Sequence, residues 1–172
     1  MNAAGYCSTY INNYFVWNSN GLHSSDSSSS AFIDGIFRTD TSAGSSHRGD
    51  QTLTSLEGST AGFEAAQLAT DSQNPVDIEP GKYEVVLGHE AVSTILVFLE
   101  VYGFNAKSKI DGMSPIIIGE QQFDEKINLV DTPEDPDSIG FKIDASGSKK
   151  LNLDVVTNGV PQSYFHTRRT AN

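Results

Sequence analysis

The chain has 172 residues, a length that fits one domain with a core, and a formal net charge of −11, while its hydrophobic content of 37% is low for a compact globular protein. Its 22 acidic and 11 basic side chains argue against direct binding of DNA or RNA, because clustered Lys and Arg are needed to bind a polyanion. The single cysteine, Cys7, cannot form an internal disulfide. There is no signal-peptide pattern and no apolar run of membrane-spanning length, so the sequence predicts a cytoplasmic protein.

Three strands separated by polar connections are predicted in the first third of the chain. They are expected at 10–17, 31–38 and 51–56, where β-branched and aromatic residues or alternating polar residues occur. The serine-rich stretch 23–30 is predicted to be a solvated loop. The polar stretch 39–50 is predicted to be a turn region.

Two helices are predicted, one over about 60–70 and a second over 89–102. A strand is predicted at 83–87, and Gly88 is expected to separate it from the second helix. The apolar residues of the second helix recur at helical spacing and are expected to pack onto the sheet. They are Val92, Ile95, Leu96, Leu99 and Tyr102.

Five more short strands are predicted in the last third of the chain. They are expected at 115–118, 126–130, 141–143, 150–156 and 160–165, with Asn158-Gly159 as the turn between the last two. Together the elements predict a β-rich α+β domain over 1–172, with antiparallel sheets in a sandwich-like or barrel-like arrangement and the two helices.

The pair His89-Glu90 is the start of a zinc-protease motif. Such a helix needs a second imidazole on the same face, at position 93 for HExxH or position 94 for HExxxH. The chain has Ser93 and Thr94 there, and a hydroxyl is a poor zinc ligand. His89 and Glu90 are therefore weak catalytic candidates, and no metal or cofactor site is predicted. The acidic turn 131–137 lacks the ligand spacing of an EF-hand.

A series of short motifs along the chain resembles the TldD/PmbA family, also called modulator of DNA gyrase. The motifs include PGKYEVVL at 80–87, EAV at 90–92, YGFNAK at 102–107, NGV at 158–160 and HTRRTA at 166–171. Each motif alone is weak, but they occur in the family's order over most of the chain. The resemblance covers a middle segment of the family. It implies a partial C-terminal-type domain, without the family's N-terminal α/β domain and last strands.

The family pairs a zinc metallopeptidase, TldD, with a partner, TldE or PmbA, that lacks the HExxxH helix. The resemblance implies cytoplasmic peptide processing and proteolysis by such a heterodimer. Because Thr94 stands where TldD-like chains have the second histidine, this sequence resembles the partner. The late cysteine ligand of TldD has no counterpart, and Cys7 lies on the wrong side of the helix to replace it.

The leading interpretation is a non-catalytic subunit or fragment that supports a TldD-like metallopeptidase subunit acting on a peptide substrate. This interpretation includes no cofactor, no nucleic acid and no membrane. One alternative is an active metallopeptidase that uses His89 and Glu90 with ligands from elsewhere. The other is a stand-alone protein-interaction module.

Overall fold

The computed structural model describes residues 2–171 and consists of two compact units. The first unit runs up to Glu84 and includes Pro136–Ile143, and the second comprises Val85–Asp135 and the residues from Asp144 on. Each unit holds a three-stranded antiparallel sheet, and neither sheet closes into a barrel. The described residues also form three α-helices, so the predicted α+β class is confirmed.

The sheet of the first unit is a meander of three strands in the order β1-β2-β3. The strands are β1 (Asn2–Trp17), β2 (His23–Arg38) and β3 (Ala43–Asp50). The predicted strands at 10–17 and 31–38 lie within β1 and β2. The predicted loop at 23–30 and turn region at 39–50 are wrong, because the serines of β2 pair residue by residue with β1 and most of 39–50 is β3. The predicted strand at 51–56 is a 3-10 turn, Leu53–Ser55.

Helix α1 (Gly58–Asp71) packs against β2 and β3, and it confirms the helix predicted over about 60–70. Its buried side chains are small and recur every four residues, at Ala61, Ala65 and Ala69. Opposite them Gly44 lies so close that an added Cβ would be 2.3 Å from the Ala65 carbonyl oxygen. Small residues on both surfaces therefore let the helix approach the sheet backbone closely.

The second unit begins with helical structure and ends with a small sheet. Helix α2 (His89–Phe98) continues into a π-helical turn, Leu99–Phe104, and the short helix α3 (Ala106–Ile110) follows. This arrangement confirms the helix predicted over 89–102. The sheet has the order β4-β5-β6, with β4 (Leu129–Asp131), β5 (Leu153–Thr157) and β6 (Val160–Pro161).

The strands β4, β5 and β6 are shorter than the predicted strands at 126–130, 150–156 and 160–165. The hairpin turn between β5 and β6 is confirmed, since Asn158 and Gly159 both have positive φ, at 48° and 77°. The core of the second unit lies where the π-helical turn meets β5. Its buried side chains are Phe104, Ile116, Val155 and Val156.

Three predicted strands, at 83–87, 115–118 and 141–143, are not strands. Val86 is 99% exposed, and 83–87 pairs with no strand among residues 2–171. Around Ile116 the backbone forms hydrogen bonds with side chains and not with a neighbouring strand. The Tyr164 hydroxyl donates to the Ile116 carbonyl oxygen at 2.6 Å, and the Ile117 N–H donates to the Gln122 side chain at 2.7 Å.

Within residues 2–171, no helix combines the length and hydropathy that crossing a bilayer requires.

Candidate functional site

The His89-Glu90 pair occupies the first turn of α2, immediately after Gly88. The helix begins there because the extended Gly88 accepts the first backbone hydrogen bond, from the Val92 N–H at 3.1 Å. Glu90 lies where the helix dipole stabilises an anion. Both side chains are on the exposed surface of the second unit, which is open to solvent at this turn.

The next turn of α2 carries hydroxyls at the two positions where a zinc-protease helix would carry its second histidine. The Ser93 hydroxyl donates to the Glu90 carbonyl oxygen at 2.8 Å, and the Thr94 hydroxyl donates to the same oxygen at 3.1 Å. Both side chains are therefore bonded to their own helix backbone. Among residues 2–171, no group of three or more His, Cys, Asp or Glu side chains is arranged to hold a metal ion.

The apolar face of α2 is largely exposed in the second unit, which corrects the expectation that this face packs onto a sheet. Val92, Ile95 and Leu96 retain 40%, 47% and 39% of their accessible surface, and none of the ten residues of α2 is buried. Tyr102 is also 54% exposed. Only Leu99 meets the expectation in part, since it packs against the core cluster around Phe104.

Cys7 and two of the remaining histidines, His23 and His166, lie away from α2 along the chain. Cys7 is exposed on β1, and His23 opens β2 opposite Trp17. The His166 ring nitrogen Nδ1 lies 3.0 Å from the Thr170 carbonyl oxygen, within a local turn. The sequence predicts no functional role for these residues, and the structure brings none of them into a group of metal ligands among residues 2–171.

A second polar cluster, which sequence reasoning missed, lies on the sheet of the first unit. Strand pairing places Tyr6 opposite Asp34 and Asp34 opposite His47, so three distant residues form one row across the sheet. His47 Nδ1 lies 2.6 Å from Asp34 Oδ1, and the His47 ring stacks on Phe32 with centroids 5.7 Å apart. Only the register of β1, β2 and β3 reveals this row, and the polar sequence of β3 is typical of a turn, so no local signal indicates it.

The electrostatics of the row follow from its hydrogen bonds. The bond from His47 holds the pKa of the Asp34 carboxyl below its ordinary value, against the opposing effect of burial and with help from Tyr6. The hydrogen bond to Asp34, together with its negative charge, raises the pKa of Tyr6. The row therefore keeps a carboxylate ionised between an imidazole and a phenol. Among the described residues, the row is not part of any group of three or more His, Cys, Asp or Glu side chains that could hold a metal ion.

Solved structures of longer proteins share the fold of this chain. A protein designated a modulator of a DNA gyrase from Thermotoga maritima superposes with a TM-score of 0.87 over 96% of this chain, at 21% identity. A protein from Bacteroides thetaiotaomicron with the same designation gives 0.86 over 98%, at 16% identity. TldE from Thermococcus kodakarensis gives 0.75 over 97%, at 18% identity.

The chain spans only about 40% of the length of these relatives. No curated protein matches it. The sequence pattern of the PmbA/TldA metallopeptidase C-terminal domain matches residues 80–172, which is more than half of the chain and includes α2 and the whole sheet of the second unit. The chain therefore belongs to the PmbA/TldD metallopeptidase family.

Proposed function

We propose that this chain is a PmbA/TldE-like, non-catalytic subunit, or part of one, that supports a TldD-type zinc metallopeptidase in cytoplasmic peptide processing and proteolysis. The observation that carries the proposal is the second turn of α2. There Ser93 and Thr94 donate their hydroxyls to the Glu90 carbonyl oxygen at the positions where a second imidazole is needed.

Peptide hydrolysis at zinc requires three protein ligands that hold the ion and leave one position for a water molecule. In α2 only His89 is a good zinc ligand, while Glu90 would have to serve as general base. A hydroxyl is a poor zinc ligand, and no third ligand is grouped with them among residues 2–171. These residues do not fit a catalytic zinc ion, so the hydrolytic step belongs to the partner's zinc helix.

The role left to this chain is to complete an assembly. Exposed apolar surface on α2 supports this role, because contiguous apolar surface of this kind is typical of contact sites between proteins. The family match and the span of 40% of the solved relatives support a part of a C-terminal-type domain. The net charge of −11 supports a role without direct contact to nucleic acid.

The zinc content of the purified full chain tests the proposal. We expect far less than one zinc per chain, and no change in zinc content on His89→Ala. A matched variant, Thr94→His, restores the HExxxH spacing and should raise zinc retention above that of the unmodified chain. About one zinc per unmodified chain, lost on His89→Ala, would contradict the proposal and favour an active metallopeptidase with ligands from elsewhere.

A pull-down tests the partner. The chain should co-purify with a HExxxH-bearing subunit of its own family when the two are expressed together. If the chain remains alone under these conditions, a stand-alone interaction module replaces the supporting subunit.

A further inference from the structure

An open groove of about 910 Å³ lies within the second unit, toward the end of α2 that is remote from His89 and Glu90. Its walls come from the end of α2, from β4 and β5, and from the segments 148–151 and 164–168. Its volume is within the range of sites that bind small organic ligands and short peptides. The groove is therefore distinct from the broken zinc motif on the first turn of the helix.

Apolar side chains from several elements line the groove. They include Leu96, Val97, Leu129, Leu151, Leu153 and Phe165. Two of them are highly exposed, since Leu151 retains 73% and Val97 56% of its accessible surface. A ligand with apolar side chains would remove this surface from water, which stabilises a complex by roughly 25 cal/mol for each Å² buried.

The backbone of β4 favours an extended polypeptide as the ligand. The sheet order β4-β5-β6 places β4 at an edge, and Leu129–Asp131, the whole of β4, lines the groove. An edge strand has backbone N–H and C=O groups on the side away from its neighbour, and an extended peptide can pair with them. Successive side chains of such a peptide alternate in direction, so every second one can enter the apolar groove.

The basic side chains that line the groove differ in whether they already form an ion pair or a hydrogen bond within the chain. Lys149 forms an ion pair with Glu134, and Arg168 donates to the Ser148 hydroxyl at 3.3 Å. Lys150 also lines the groove and has no ion pair within residues 2–171. Arg168 likewise has no ion pair there, but it is held by its bond to Ser148, so Lys150 is the least engaged of these three cations.

The acidic groups limit how much negative charge a ligand can carry. Asp144 Oδ1 accepts hydrogen bonds from the Ser146 and Ser148 N–H groups, both at 2.8 Å, so this carboxylate oxygen is already engaged within its own loop. Glu100 and Asp131 also line the groove and would repel a polyanion. A ligand with a single carboxylate at Lys150 would pair with this cation and would carry too little negative charge to be repelled strongly by Glu100 and Asp131.

We propose that this groove binds a short, extended, apolar peptide whose C-terminal carboxylate pairs with Lys150. The proposal deepens the proposed function and rests on it for the source of such peptides, since the partner's proteolysis generates new C-terminal carboxylates. Peptide binding in this chain would then occur beside the end of α2, on residues that its broken zinc motif does not involve.

Fluorescence anisotropy with the full chain and no added metal tests the proposal. The probe is an N-terminally labelled pentapeptide, Ala-Leu-Val-Leu-Ala, about 17 Å long when extended. We expect saturable binding of the form with a free C-terminal carboxylate, and at least roughly fivefold weaker binding of the C-terminal amide. This ratio corresponds to about 1 kcal/mol, as for a partly exposed ion pair.

Two pairs of variants assign the binding to the groove. Lys150→Gln should weaken binding of the acid form to the level of the amide, while Lys126→Gln, an exposed lysine that does not line the groove, should not. Leu151→Glu should abolish binding, while Val76→Glu, at a site 83% exposed in the first unit, should leave it intact. Both changes are at exposed sites, so circular dichroism should show an intact fold.

Three results would overturn the proposal. The first is the lack of saturable binding, and the second is equal binding of acid and amide that Leu151→Glu leaves unchanged. The third is a dimer in light scattering that Leu151→Glu dissociates, since a second copy would then cover the groove. The binding assay contains neither zinc nor partner, so its failure would leave the zinc and pull-down tests of the proposed function unaffected.

Discussion

Asp34 Oδ1 and His47 Nδ1 lie 2.6 Å apart on neighbouring strands, and the pairing of β2 with β3 sets these two residues directly opposite each other. Asp34 accepts this hydrogen bond as a carboxylate, with Tyr6 on its other side. The bond links two strands that the sequence did not predict as neighbours. Because this bond depends on the ionised carboxylate of Asp34, we expect the stability of the sheet of the first unit to depend on pH.

We expect acid to remove the contribution of Asp34 to the free energy of unfolding. The pKa of Asp34 in the folded chain lies below its unfolded value of about 3.9, chiefly because His47 donates to it. A lowered carboxyl pKa gives stability that is present above the unfolded value and is lost as the pH falls through the folded value. Asp34→Asn should therefore cost about 1 kcal/mol at pH 7, and this cost should shrink as the pH falls below about 3.9 toward the lower pKa of the folded chain.

Urea denaturation of both chains between pH 7 and pH 3 measures this difference. Asp40→Asn, at an exposed carboxyl in the turn between β2 and β3, is the matched control and should show no such dependence. A cost of Asp34→Asn that stays constant over the whole range would show that the contribution of Asp34 does not depend on its ionised carboxylate, which would contradict a lowered pKa.

The close approach of α1 to β3 predicts opposite effects of two glycine substitutions. Gly44→Ala should destabilise the chain by about 1–3 kcal/mol, because its Cβ would be 2.3 Å from the Ala65 carbonyl oxygen and the backbone must move. Gly62→Ala, inside α1 with open space around it, should stabilise the helix by up to about 1 kcal/mol. Equal effects in thermal denaturation would mean that the helix does not lie against Gly44.

A further pair of substitutions separates the exposed helix α2 from the core of the second unit. The sequence alone predicts a cost of about 2–5 kcal/mol for Leu96→Ala, as for a buried leucine. Because Leu96 is 39% exposed in the structure, we expect less than about 1 kcal/mol in the isolated chain. Phe104→Ala, at a fully buried site, should cost about 3–5 kcal/mol.

Chemical denaturation with urea measures both changes. A cost for Leu96→Ala in the isolated chain that equals the cost for Phe104→Ala would show that α2 is packed after all. A rise in the cost of Leu96→Ala when the partner is present would place this helix in the interface of the assembly.

The helices and the turn at Asn158-Gly159 could be predicted because their signals are local. Helical spacing from Val92 to Leu99 and the preference of Asn-Gly for positive φ need no knowledge of distant residues. The strands were harder to predict. The serines of β2 form a strand because β1 pairs with all 16 of its residues, whereas the β-branched residues of 83–87 have no partner strand among the described residues.

The candidate site was predictable only in part, because local spacing can be read from the sequence while contacts between distant residues cannot. The spacing of His89 and Glu90 to Ser93 and Thr94 is local, so the sequence alone shows the missing imidazole. The row of Tyr6, Asp34 and His47 depends on strand register, and the exposure of α2 depends on packing. Neither can be inferred from helical or strand periodicity.

The cleavage of a peptide by the complex of this chain with a HExxxH-bearing partner is the most direct test of the supporting role. We expect cleavage to survive Glu90→Gln in this chain and to be lost when the corresponding glutamate of the partner's zinc helix is changed. Stability should change little, because a carboxylate in the first turn of a helix contributes only about 0.3–1 kcal/mol. Loss of cleavage on Glu90→Gln with fold and complex intact would contradict the account, because Glu90 would then be the general base of an active enzyme.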